Sequence, residues 1–288
     1  KKGFSEARNI LGRNGVLGVL FDQNARRGGT LMSFFGRIAS TSDLPRVLAT
    51  RYQPQTFIFH PRRIRFWHSE INLISLGTEQ HMQIIHKANQ WLEESLTVDD
   101  DCCADWLWMH NRWRIQDGPG ERFSISHRKQ DINYSTLPRG YRVWVRLPDD
   151  VTESRNLFPL VEALRIGRPD AEITYLCTKE VWKVTESMNL LDRFKILMQD
   201  SHQRRLKLIH AWQDDYPDTH LLLTCSSIAD KEARIINAPQ RFGLINKGKH
   251  RPILTHAFQS DEEMSLVQNY ERMLRFFGLK VKVPNEKD

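Results

Sequence analysis

A chain of 288 residues that is 40% hydrophobic can bury a sizeable core, and its length suggests two domains. The 42 Lys and Arg against 35 Asp and Glu leave a formal +7, which favours an acidic partner: nucleic acid, anionic lipid or an acidic carrier protein. No apolar run reaches the roughly 18 residues of a membrane-spanning helix, and no signal peptide is visible.

"KKGFSEARNILGRNG" reads as an amphipathic helix with Phe4, Ile10 and Leu11 on one side, stopping at Gly15. A helix already under way at Lys1 suggests an internal piece of a longer protein. Val16 to Phe21 suits a short strand buried on both faces, and "SDLPRVLATRY" a helix with Ser42 as N-cap and Pro45 in its first turn. "QTFIFHP" and "RIRFWHSEIN" read as neighbouring strands joined near Pro61 to Arg63. "GTEQHMQIIHKANQWLEESL" places Met82, Ile85, Trp91 and Leu92 at helical spacing, and "ADWLWMHNRWR" closes the unit.

From Ile115 to Gly140 the chain turns polar and rich in Gly, Pro and Ser, as a linker would. A second alternating unit follows: strands "YRVWVRL", "AEITYLC", "RFKILM" and "HLLLTC", with helices "NLFPLVEALRIG", "EVWKVTESMNLL", "QRRLKLIHAW", one near Asp230 to Ile236, and "DEEMSLVQNYERMLRFFG". Strands separated by helices of this length imply a parallel sheet with crossovers on both faces. No GxGxxG follows the first strand and no P-loop occurs, so a direct dinucleotide or nucleoside-triphosphate site is not expected. Four cysteines (Cys102, Cys103, Cys177, Cys225) without CxxC spacing point to a reducing compartment. The positive excess is spread over both units without an RNP, zinc-finger or helix-turn-helix pattern, which argues against nucleic acid.

"GVLGVLFDQNARRGGTLMSFFGRIAST" and "ADWLWMHNRWR" resemble motifs of the bacterial lipid A biosynthesis (lauroyl and myristoyl) acyltransferases. The likeness covers residues 1–116. It implies acyl transfer from acyl carrier protein to a lipid A precursor, at the cytoplasmic face of the inner membrane and peripheral in this segment. Arg26, Arg27, Arg62, Arg63 and Arg65 suit the carrier or the lipid phosphates, although Arg62 to Arg65 fit a solvated hairpin somewhat better. Phe34 and Phe35 either border an acyl chain or belong to the core; Asp22 either holds an arginine in place or caps structurally. Arg112, from the closing signature, joins the substrate-binding set, whereas His110 reads as structural. The family's His-x4-Asp/Glu dyad has no match in residues 1–116, and His210-x4-Asp215 reads as a chance occurrence.

"PLVEALRIGRPDAEITYL" and "APQRFGLINKGKHRPILTHAF" resemble the N-terminal domain of glycosyltransferase family 9, the heptosyltransferases, over residues 141–280. The family's catalytic aspartate lies six residues before a helix proline. Counting back from Pro159 puts Glu153 there, with Thr152 replacing the preceding glycine. A surface acid at a helix N-terminus is the plain alternative for Glu153. Arg241, Lys247, Lys249 and Arg251 suit an acceptor's phosphates or a solvated loop. Residues 281–288 resemble the start of the interdomain linker, so the nucleotide-sugar donor domain is not expected here.

The expected fold class is therefore α/β in two units: an incomplete acyltransferase domain, then one Rossmann-like half of a two-domain glycosyltransferase, joined by residues 117–140. Acyl transfer leads. Glycosyl transfer to the lipopolysaccharide core, and a non-catalytic module binding anionic lipid or carrier, are the alternatives. No cofactor or metal is expected, and an anionic membrane surface is an expected partner.

Overall fold

The computed structural model describes residues 2–77, 83–106, 108–114, 121–187, 193–199, 201–212, 215 and 217–284. The chain divides into two compact units, Lys1–Asp117 with Arg128–Leu137, and Gly118–His127 with Pro138–Asp288. The stretch expected as a linker is thus shared between them.

In the first unit, α1 (Lys2–Leu11) forms as its periodicity predicts and ends in turns closed by Asn14 at φ 57°. Its apolar side remains largely open, with Phe4 and Ile10 exposed and Ala7 buried. Residues 15–21 form no strand, and Val16 is 96% exposed. The two sheets nearby in sequence are two-stranded, β1 (Thr30–Phe34) with β2 (Arg37–Thr41) and β3 (Phe57–Arg65) with β4 (His68–Ser75). An apolar run becomes a strand only where an edge pairs with it.

The β1–β2 hairpin turns at Phe35 and Gly36, both at positive φ as a tight two-residue turn requires. Residues 128–137 add to its outer edge: the Leu31 N–H donates to the Lys129 carbonyl and the Asp131 N–H to the Leu31 carbonyl, both at 2.8 Å. Helix α2 (Leu44–Tyr52) starts one residue later than expected, with Asp43 rather than Ser42 at the N-cap. Strand β3 runs straight through Pro61 to Arg63, and the turn falls at Phe66 and Trp67. Pro61 is tolerated because, in a two-stranded ribbon, alternate N–H groups face away from the partner strand. Helices α3 (Ile84–Val98) and α4 (Asp100–Asp105) complete the unit, Asp99 capping α4 through the N–H groups of Asp101 and Cys102. Met82, from the expected start of α3, lies outside the described residues.

The second unit is a six-stranded, all-parallel sheet: β5 (Tyr141–Arg146), β6 (Ala171–Thr178), β7 (Phe194–Leu197), β8 (Thr219–Leu222), β9 (Gln240–Ile245) and β10 (His256–Gln259). Its spatial order is β7-β6-β5-β8-β9-β10. Relabelled from the unit's first strand this is 3-2-1-4-5-6, the doubly wound Rossmann arrangement. The crossovers carry α5 (Val151–Asn156), α6 (Phe158–Gly167), α7 (Lys179–Ser187), α8 (His202–Ala211) and α9 (Ser227–Ile236), and α10 (Leu266–Phe276) follows the last strand.

Both faces of this sheet are covered, so its strands are apolar on both sides. Val143, Val145, Leu164, Phe242 and Leu274 fill one core; Trp144, Leu176, Leu197 and Ile209 fill the other. Residues 121–127 belong to this unit, and Phe123 to its first core. Phe123 is fully buried against Phe242, ring centroids 5.0 Å apart, and the Ile125 N–H donates to the Gly167 carbonyl at 2.8 Å. Gly167 permits that approach, since a Cβ there would lie 2.3 Å from the Phe123 carbonyl oxygen.

Candidate active site at the strand-order reversal

Strands β5 and β8 lie side by side, and the chain leaves them in opposite directions, β5 toward β6 and β8 toward β9. In open α/β sheets this reversal opens a crevice beyond the strands' carboxyl ends, where ligands bind. Here that place lies between Leu147 to Glu153, after β5, and Leu223 to Ser226, after β8.

Arg146 ends β5 on a fully buried position. A guanidinium there needs partners, because an uncompensated buried charge costs several kcal/mol. Arg146 Nε donates to Glu232 Oε2 at 2.6 Å and its Nη2 to Asp149 Oδ1 at 2.7 Å. Arg205, from α8, completes a ring by reaching Glu232 Oε1 at 2.6 Å and Asp149 Oδ2 at 3.1 Å. Burial of Asp149 works against its ionisation, yet Arg146 and Arg205 prevail and hold its carboxyl below the ordinary value.

The next acid, Asp150, is committed differently. Its Oδ1 accepts from the Glu153 N–H at 2.8 Å and caps α5, while the Ser154 hydroxyl donates to the Pro148 carbonyl at 2.8 Å. Glu153 is exposed in the first turn of α5, and its carboxylate has no ion-pair partner among the described residues. Of the three acids, Glu153 alone has a carboxylate left uncommitted.

Across the crevice, Ser226 caps α9 through the Ala229 N–H at 3.2 Å, and Cys225 is exposed. Arg251 clamps this side. Its Nε donates to Asp230 Oδ1 at 2.7 Å, its Nη2 to the Thr224 carbonyl at 2.8 Å and its Nη1 to the Leu244 carbonyl at 3.1 Å. Gly243 leaves room for this crossing, since a Cβ there would meet Arg251 Nη1 at 3.0 Å. Burial pushes the Tyr270 phenol well above its ordinary value, and the charges of Cys225 and Glu153 add to that.

Among the residues expected to bind an acceptor, Lys247 and Lys249 are exposed on the turn after β9, at the carboxyl edge of the sheet that also carries Glu153. Arg241 is a correction. Its guanidinium donates to the Ile253 carbonyl at 2.6 Å and to the Ala238 carbonyl, fixing the segment after β9 instead of facing a ligand. Arg251 is likewise spent on the clamp. His210 lies exposed on α8, and Asp215 takes a hydrogen bond from Lys195.

In the first unit the structure corrects two further assignments. Arg112 is fully buried, its guanidinium donating to the Gln23 and Ser40 carbonyls, to Thr41 Oγ1 at 2.9 Å and to Asn89 Oδ1 at 3.2 Å. Burial lowers its pKa to about 10, opposed by the charge of Asp22, so it stays protonated at neutral pH. Phe34 is fully buried against Trp106 and Trp113, with ring centroids 5.9 and 5.7 Å away. Neither residue faces a groove. Phe35 is 39% exposed, and Arg26 and Arg27 lie on an exposed single turn. Arg62 stands 3.9 Å from Asp99, and Arg63 pairs with Asp105. His110 Nε2 accepts the Asn24 N–H at 2.7 Å, a structural role.

The ring formed by Arg146, Asp149, Arg205 and Glu232 was not anticipated from sequence. The available signal was Arg146 itself, a charge at the end of an otherwise apolar strand that needs a buried acid. Among the described residues, no group of three or more His, Cys, Asp or Glu is arranged to hold a metal ion.

No protein-family model matches the chain, and no curated protein does. Among solved structures it is similar to a glycosyl transferase family 9 protein from Veillonella parvula, at 18% identity and TM-score 0.43, over 51% of this chain and 46% of that one. It is also similar to E. coli ADP-heptose lps heptosyltransferase II, at 18% identity and TM-score 0.41, over 48% and 41%. For E. coli heptosyltransferase WaaC with ADP the identity is 10% and the TM-score 0.41, over 51% and 49%. The chain spans less than half the length of these structures.

Proposed function

We propose that the second unit is the acceptor-binding half of a glycosyltransferase acting in lipopolysaccharide core assembly, with Glu153 as the base. The observation carrying this reading is Glu153's place: an uncommitted carboxylate on the first turn after the central strand, at the strand-order reversal. The family resemblance of residues 141–280 supplies the reaction class.

In the proposed reaction an acceptor hydroxyl attacks the anomeric carbon of a nucleotide-sugar. The glycosidic bond forms as the bond to the nucleoside diphosphate breaks, and Glu153 takes the hydroxyl proton. Asp149 is poorly suited to that role, since its two arginines keep it ionised and a weak base. Lys247 and Lys249 would meet acceptor phosphates as exposed cations.

Acyl transfer from acyl carrier protein, the leading expectation from the sequence, has less support. Two of its expected contacts, Phe34 and Arg112, are interior.

The test is nucleoside diphosphate release from a nucleotide-heptose donor, with an inner-core acceptor, by the complete encoded protein. Glu153→Gln should reduce turnover at least about a hundredfold without changing the acceptor KM much. Undiminished turnover in that variant would remove Glu153 as the base. Acceptor-independent hydrolysis alone would remove the transferase reading.

A further inference from the structure

The β3–β4 ribbon of the first unit has a surface that the glycosyltransferase reading does not use. All residues from Pro61 to Glu70 are exposed, although most of them are paired in the ribbon. Its turn is apolar: Phe66 is 80% exposed and Trp67 88%, with their rings edge to face at 4.9 Å, and Ile64 beside them is 58% exposed. Arg62, Arg63 and Arg65 lie just behind that turn, and Glu70 is the ribbon's single acid. Further back, Phe59, Ile71 and Leu73 continue an exposed apolar stripe on one side, in register across the two strands at Phe59–Leu73 and Pro61–Ile71.

Leaving two neighbouring aromatic side chains open to water at the end of a paired ribbon is unfavourable unless something else covers them. The chemistry identifies the cover. A protein groove would need only the apolar tip, whereas an aromatic tip with a collar of arginines matches the two layers of a bilayer surface. Trp and Phe settle at the boundary of acyl chains and headgroups, and guanidinium groups bind lipid phosphates. Arg62 and Arg63 stand against Asp99 and Asp105, whereas Arg65, nearest the tip, has no ion-pair partner among the described residues and supplies the cation that favours anionic lipid.

We infer that the β3–β4 turn, Ile64 to Trp67 with Arg62, Arg63 and Arg65, is a membrane-surface anchor that inserts Phe66 and Trp67 between anionic lipid headgroups. No described helix is long and apolar enough to cross a membrane, so this contact is of the peripheral kind.

Flotation of the full chain with phosphatidylcholine vesicles, with and without phosphatidylglycerol, tests the assignment. The wild type should bind the anionic vesicles and largely lose them at high salt. Phe66→Ser combined with Trp67→Ser should weaken binding roughly tenfold or more, and Arg65→Gln several-fold. Both changes are at exposed positions, so an unchanged thermal melt verifies folding. Absence of vesicle binding by the folded wild type would overturn the inference, as would binding that survives the double substitution. A chain that forms dimers through the ribbon, with dimerisation lost in the double variant and no vesicle binding, would assign the tip to a second copy instead.

Discussion

Arg146 and Glu232 form an ion pair at 2.6 Å with no side-chain exposure on either partner, at the carboxyl end of the central strand. Arg205 shares the same glutamate and passes the charge outward to Asp149, at the rim of the crevice. The arrangement fixes where β5 ends and where the chain turns into α5. Replacing Glu232 by Gln would leave the two buried guanidinium groups sharing one carboxylate, that of Asp149. The expected loss is about 3 kcal/mol of stability in a denaturant melt. A loss below about 1 kcal/mol would mean that water already reaches the ring.

Asp150 and Glu153 share the first turn of α5 but do different things. Asp150→Ala removes the cap and should cost about 1 kcal/mol, read as a lower denaturation midpoint. Glu153→Gln should leave that midpoint within about 0.5 kcal/mol of wild type, because its side chain is exposed and unpaired. Equal destabilisation by both would assign Glu153 to structure.

His220 is fully buried on β8, and neither of its ring nitrogens has a hydrogen-bond partner in the structure. Burial, helped by the charges of Arg146, Arg241 and Arg251, lowers its pKa to about 3. The folded state therefore holds the neutral ring, while the unfolded chain takes up a proton as pH falls below about 6.5. The stability tied to this residue is intact above that pH and is lost progressively between about 6.5 and 3, at up to about 1.4 kcal/mol per pH unit. His220→Phe should flatten that part of the stability–pH curve, measured by urea melts across the range. An unchanged slope would contradict the assignment.

Arg112 ties the segment after α1 to β2 and α3 through Gln23, Ser40, Thr41 and Asn89. Arg112→Met should destabilise the first unit by about 2 to 4 kcal/mol and leave vesicle binding of the still-folded fraction unaltered. Vesicle binding lost without loss of stability would return Arg112 to a lipid-facing role.

The second unit was far more legible in the sequence than the first, for a physical reason. A parallel sheet covered on both faces writes its strands as apolar runs and its crossovers as helices, so "YRVWVRL", "AEITYLC" and "HLLLTC" could be placed directly. The signal failed at β9 and β10, where "QRFGLI" and "HAFQ" carry polar residues and lack a full-length helix between them; only their family likeness was visible. In the first unit the same apolar-run logic misplaced Val16 to Phe21, because local sequence does not report whether a pairing edge exists. Arg112 and Arg241 look like ligand cations in sequence. Their carbonyl partners, distant in the chain, make them structural. Phe123 shows the converse, a core residue hidden within a Gly- and Pro-rich stretch.

The most direct test of a ligand site at the strand-order reversal is a backbone amide shift titration of the full chain with a phosphorylated inner-core saccharide. The account predicts shifts concentrated at residues 149–153, 224–226 and 247–249. Saturating binding with shifts elsewhere, or no shifts at millimolar saccharide, would contradict it.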